Sequence, residues 1–214
     1  MDALDQLAAA SAGLLDRVDG ILTEAGAPAD HRIWALLRRL GAMPADAVGT
    51  VVALRPAPLA AAGPPLRTLI QEYDEARAAI ADGGSWEGAG AEVFAVHRSA
   101  LSTHLGGLTA RLAATQAYTE AVADWATQSR RSLARELAAV LGSTEAVTVT
   151  TEPVGPAAAV AAAEIGARLL GAVDAAYERV EALLSGWATE LGELSYQAPD
   201  AGPTPFDLTT RIGH

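Results

Sequence analysis

Leu4, Leu7, Ser11, Leu14, Val18 and Ile21 recur at alternating steps of three and four. That spacing lines side chains along one face of a helix. It predicts a first helix that stops at Gly26 and Pro28. Asp30 is placed to cap a short helix carrying Ile33, Leu36, Leu37 and Leu40 on one face, closed by Gly41. Pro44 opens another short apolar piece through Val48, Val51, Val52 and Leu54. Core packing accounts for all three. The segment 55–65 then breaks the pattern with Pro56, Pro58, Pro64 and Pro65. Proline lacks the N–H that a helix interior needs, so the next helix is expected only from Leu66 to Ala81.

A glycine-rich turn, Gly83-Gly84-Ser85-Trp86-Glu87-Gly88, separates that helix from the longest amphipathic stretch. Phe94, Leu101, Leu105, Leu108, Leu112, Thr115, Val122, Leu133, Leu137 and Val140 predict a helix over 89–141. At about 1.5 Å per residue it would approach ~80 Å. Paired Gly106-Gly107 weakens its interior and allows a kink. Val147-Thr148-Val149-Thr150 is β-branched and reads as extended, though too short for a sheet. Ile165, Leu169, Val173, Ala176, Val180, Leu184, Trp187, Leu191 and Leu194 then predict a final helix over 157–195. From Ala198 the chain turns to Pro and Gly and reads as a flexible tail.

Composition supports this picture. The chain has 214 residues, half of them apolar but only 5% aromatic. Alanine dominates, which favours helix over sheet. The formal net charge is -11, and every basic residue is Arg. An acidic chain without basic clusters excludes nucleic acid as a natural partner and disfavours anionic membranes. The absence of Cys excludes disulfides and thiolate metal sites. Met1-Asp2-Ala3-Leu4-Asp5 is acidic, unlike the start of a secretory signal peptide. The most apolar run, 154–163, is too short to span a bilayer, so no stable membrane insertion is expected.

The Trp86-Glu87-Gly88 turn between two helices, followed by small residues and Phe94, resembles the WXG family of type VII secretion proteins. The resemblance covers 66–141. It implies helical hairpins that pair into four-helix bundles and leave the cell through a membrane ATPase machine. Exported pairs of that family carry a Tyr followed four residues later by an acid near the end of the last helix. Two segments are similar to that signal: Tyr177-Glu178-Arg179-Val180-Glu181 within the last helix, and Tyr196-Gln197-Ala198-Pro199-Asp200 at its exit. A core-flanking role beside Ala176 and Val180 competes for Tyr177. Pro199 departs from the pattern by bending the second segment away from helix. The chain is also about twice the usual length of the family.

No catalytic constellation emerges. His97 and His104 share a helix face but sit about 10 Å apart, too far for one metal ion. The glycine-rich turn lacks the Lys-Ser/Thr of a phosphate loop. Ser185-Gly186 lacks the preceding Gly of a nucleophile elbow. No cofactor is expected.

The sequence therefore predicts an all-α protein: an elongated helical hairpin resembling a four-helix bundle, with additional N-terminal helices. Its expected parts are an N-terminal helical cap (1–55), a Pro-rich connection (56–65), a bundle with the Trp86 hinge (66–195) and a flexible tail (196–214). The resemblance implies a non-enzymatic secretion substrate or adaptor, secreted without a signal peptide, that pairs with itself or a WXG-type helical partner and meets a secretion ATPase. Trp86, Gly88, Tyr177, Glu181, Tyr196 and Asp200 would form its recognition sites. The alternative is a cytoplasmic helical scaffold or chaperone that binds a partner helix.

Overall fold

A computed structural model describes residues 2–82 and 87–193, without the side chain of Ala89. The fold is all-α, with helices α1 (Ala3–Glu24), α2 (Ile33–Leu40), α3 (Pro44–Val52), α4 (Pro56–Ala81), α5 (Ala89–Leu141), α6 (Thr144–Thr151) and α7 (Pro156–Glu193). No strand occurs among the described residues.

The chain divides into two compact units. Unit 1 holds Met1–Ala60 and Ala121–Leu184, and unit 2 holds Ala61–Glu120 and Ser185–His214. This cut differs from a cap over 1–55 set against a bundle over 66–195. Leu4, Val18 and Ile21 of α1, Ile33 of α2 and Val48 of α3 share one core with Leu133, Leu137 and Val140 of α5, Val149 of α6 and Leu169 of α7. The N-terminal helices are thus as central to unit 1 as the long ones. Among the described residues, unit 2 has a thinner interior. Its large apolar residues include Leu105, which is buried, but Leu69, Val93, Phe94, Val96 and Leu101 remain exposed.

Small residues bring α7 close to its neighbours. Ala158, Ala159, Ala161, Ala162, Ala163, Gly166 and Ala167 are all buried. A Cβ built on Gly166 would stand 2.7 Å from Ile33 Cδ1 and 3.1 Å from Pro44 Cγ. Only glycine fits that contact without displacing buried side chains. By length and composition α7 is apolar enough to cross a membrane, but 61% of its most apolar window is buried inside the protein.

Two local expectations are corrected. The helix expected to begin at Leu66 begins at Pro56, and Pro64 and Pro65 lie inside it. Pro56 and Pro58 occupy the first turn, where no intrahelical donor is required. Gly63 lacks the Cβ that would clash with the Pro64 ring. The two prolines leave the carbonyls of Ala60 and Ala61 without their usual donors, and the division between the units falls at that step. The second correction concerns 147–150, which is helical rather than extended. The Ser143 hydroxyl accepts the Ala146 N–H at 3.2 Å, capping the start of α6. The hydroxyls of Thr148, Thr150 and Thr151 donate back to carbonyls four residues earlier. Val149 is fully buried, so packing overrides the β preference of the segment. Two lesser differences follow. Arg32 rather than Asp30 occupies the cap position of α2, with no side-chain cap bond, and α5 runs unbroken through Gly106-Gly107.

Candidate interaction sites

The segment that carries the WXG resemblance is described from Glu87 onward; Trp86 lies outside the described residues, as do Tyr196 and Asp200. Gly88 has φ +105°, a conformation that L side chains rarely adopt. Its carbonyl accepts the N–H groups of Ala91 at 2.9 Å and Glu92 at 3.2 Å. Gly88 therefore turns the chain into the first turn of α5 and begins its hydrogen-bond ladder.

Downstream of that turn, apolar side chains face solvent. Val93 is 43% exposed, Phe94 51%, Val96 69% and Leu101 45%. Ile80 and Ala79 of α4 join Phe94, His97 and Leu101 around a cavity of about 570 Å³ in unit 2. His97 is exposed and His104 half-buried. Among the described residues no group of three potential metal ligands occurs.

Tyr177 and Glu181 lie in unit 1, both exposed on α7 one turn apart. Tyr177 shares a small cavity of about 140 Å³ with Thr50, Val51, Leu54, Trp125 and Ala176. The Trp125 indole N–H donates to the Ala176 carbonyl at 2.9 Å. Tyr177 thus flanks the core through Ala176, and its ring stays partly open to solvent.

No family model, curated protein or solved structure matches the chain.

A polar clasp in unit 1 was not anticipated from the sequence. Arg130 of α5 is buried. Its Nε and Nη2 donate to the two Asp2 carboxylate oxygens at 2.8 Å each, and Nη2 also reaches Asp5 at 2.7 Å. Its Nη1 donates to the carbonyls of Val51, Val52 and Leu54, at the end of α3. Asp2 and Asp5 also form a reciprocal capping box at the start of α1. One guanidinium therefore ties the N-terminus of α1 to the C-terminus of α3, with each charge matched to its helix end. Hydrogen bonding to Arg130 lowers the Asp2 carboxyl to about 2 and lowers Asp5 in the same direction. The same bonds raise Arg130 above its ordinary value.

Two more side chains close the short helices. Asp19 of α1 accepts the Ala45 N–H at 3.2 Å, at the start of α3. Its other oxygen is buried without a partner, and burial pushes the carboxyl up to about 6. Arg17 donates to the Val149 carbonyl and, at 2.8 Å, to that of Glu152, closing α6. The signals were present in the chain. Asp2-x-x-Asp5 is a capping pattern, and Arg130 occupies a stripe position between Ala126 and Leu133, where a charge has to find partners.

Proposed function

We propose that the chain is a non-enzymatic substrate or adaptor of a type VII-like secretion system, acting by helix pairing. The observation that supports this reading most is the run of exposed apolar side chains at Val93, Phe94, Val96 and Leu101, which follows the Trp86-Glu87-Gly88 motif in the sequence. Contiguous exposed apolar surface marks interaction sites in soluble proteins. A helix laid along this face would complete the burial that unit 2 lacks.

On this reading the partner is a second copy or a WXG-type helical protein, and a secretion ATPase reads the Trp86 and Gly88 turn. Tyr196 with Asp200, or Tyr177 with Glu181, supplies the export signal, and the protein leaves the cell without a signal peptide. The acidic surface gives nucleic acid no role. A cytoplasmic scaffold that binds a partner helix through the same face is the second reading, favoured by the same exposed residues. Export of wild type, Trp86→Ala and a 196–214 deletion from a strain carrying the export ATPase separates the two. The secretion reading expects wild type in the medium and both variants retained in the cell with unchanged melting temperatures. Wild type confined to the cytoplasm would leave the scaffold reading. Strong destabilisation by Trp86→Ala, with normal export of the folded fraction, would make that tryptophan structural.

A further inference from the structure

A further cavity, lined by residues of unit 1, has the chemistry of an anion site. It measures about 610 Å³, and its walls include Asp2, Ala3, Pro56, Ala134, Arg130, Arg131 and Arg135. Ligand cavities of this size are typically mostly apolar, with a few placed polar groups. The three arginines differ in kind. Arg130 is fully engaged by Asp2, Asp5 and the end of α3. Arg131 and Arg135 are exposed. Neither makes a hydrogen bond or ion pair among the described residues. They stand four residues apart on α5, which puts their Cβ atoms about 6 Å apart on one face.

Charge sharpens the contrast. The chain is strongly acidic, yet here three guanidiniums meet two carboxylates, and Arg130 already occupies both carboxylates. We propose that this cavity binds a small amphipathic anion, a carboxylate on a single acyl chain. Arg131 and Arg135 grip the headgroup, and the chain lies against Ala3, Pro56 and Ala134. Guanidinium forks match carboxylate geometry, and the apolar wall supplies the affinity that surface ion pairs lack. Arg130 plays no part in gripping the ligand, because its donors are spent on the clasp.

Titration calorimetry on the full chain tests this with decanoate, decanol and phosphatidylglycerol vesicles. Saturable one-to-one binding of decanoate is expected, with decanol weaker by about tenfold or more, as the loss of charge-assisted hydrogen bonds implies. Arg131→Gln with Arg135→Gln should weaken decanoate to the decanol level and leave the melting temperature unchanged. Equal binding of decanol and decanoate by the wild type would overturn the proposal, and that comparison does not depend on how the variants fold. So would the absence of saturable decanoate binding, or arginine-dependent vesicle binding without monomer binding, which would place the arginines at a membrane surface instead.

Discussion

Single side chains in unit 1 do work that the apolar pattern does not reveal. Arg130 satisfies carboxylate and carbonyl acceptors at the ends of two other helices, so its loss costs more than one contact. Arg130→Gln is expected to destabilise by about 2–4 kcal/mol, below the range for a wholly buried pair because Asp2 is half open to water. Urea unfolding measures it, and a cost under about 0.5 kcal/mol, the level of an ordinary surface change, would reduce the clasp to a surface ion pair. The two carboxyl environments also predict opposite pH slopes. Asp2 is lowered to about 2, so its stabilisation holds above the ordinary carboxylate range and is lost as pH falls towards 2. Asp19 is raised to about 6, so the folded state holds a proton that the unfolded chain has released. Its contribution is present at pH 4 and lost as pH rises through 6. Asp19→Asn keeps an acceptor for the Ala45 N–H and removes the charge. It should raise stability at pH 7 on the order of 1 kcal/mol, allowing for solvent screening, and change little at pH 4. Melting curves from pH 4 to 7 test this. A uniform loss at every pH would mean that the negative charge at the start of α3 outweighs its burial.

At the scale of elements, periodicity was a good guide wherever burial is one-sided and continuous. The stripes through Leu4, Ser11, Val18 and Ile21, and through Ile165, Leu169, Val173 and Ala176, all point into the core. The signal misled where local chemistry and tertiary context disagree. Pro64 and Pro65 read as a break, yet lie within α4, because a helix can forgo two hydrogen bonds when its flanking turns hold. The Val-Thr run of α6 reads as extended, yet Ser143, Arg17 and a buried Val149 make it helical. Of the candidate site residues, Gly88 was legible as a turn because only glycine takes its φ readily. Arg130 was legible as a charge on an apolar stripe but its partners were not, since they lie far away in sequence and no spacing rule joins them. Close helix approach was equally hidden, and α7 offers a paired test of it. Gly166→Ala gains helix propensity but drives a methyl into Ile33 and Pro44, so a net loss of about 1–3 kcal/mol is expected. Gly171→Ala meets nothing within 4 Å and should gain up to about 1 kcal/mol. Equal gains in both variants, read from thermal melts, would show that α7 has room to move away from α2 and α3.

At the scale of the molecule, the two units differ in how much they bury. In unit 1 the interior is built from α1, α2, α3, α6 and parts of the long helices, and Leu133, Leu137, Ile165, Leu169 and Leu170 are almost wholly buried. In unit 2, Leu105 and Ala114 are buried, while the α4 and α5 faces leave Leu69, Val93, Phe94, Val96 and Leu101 exposed. Polar contacts within unit 2 include the Arg67–Glu120 pair at 3.2 Å, between exposed side chains, and such pairs contribute little. The Tyr118 and Trp187 rings meet edge to face at 5.7 Å and add a modest local contact. Helical stability in proteins comes mainly from packing an apolar face, so α4 beyond Ala61 and α5 before Glu120 should open at lower free energy than the helices of unit 1. Amide hydrogen exchange is expected to show 66–81 and 90–118 exchanging well before 126–140 and 158–176, although α5 contributes to both sets. A partner helix that binds the exposed face should slow exchange in the first set and leave the second unchanged, because binding stabilises only the segments it covers. Uniform protection across α5 in the isolated chain would mean that unit 2 is already complete, and the case for a partner on its apolar face would fall with it.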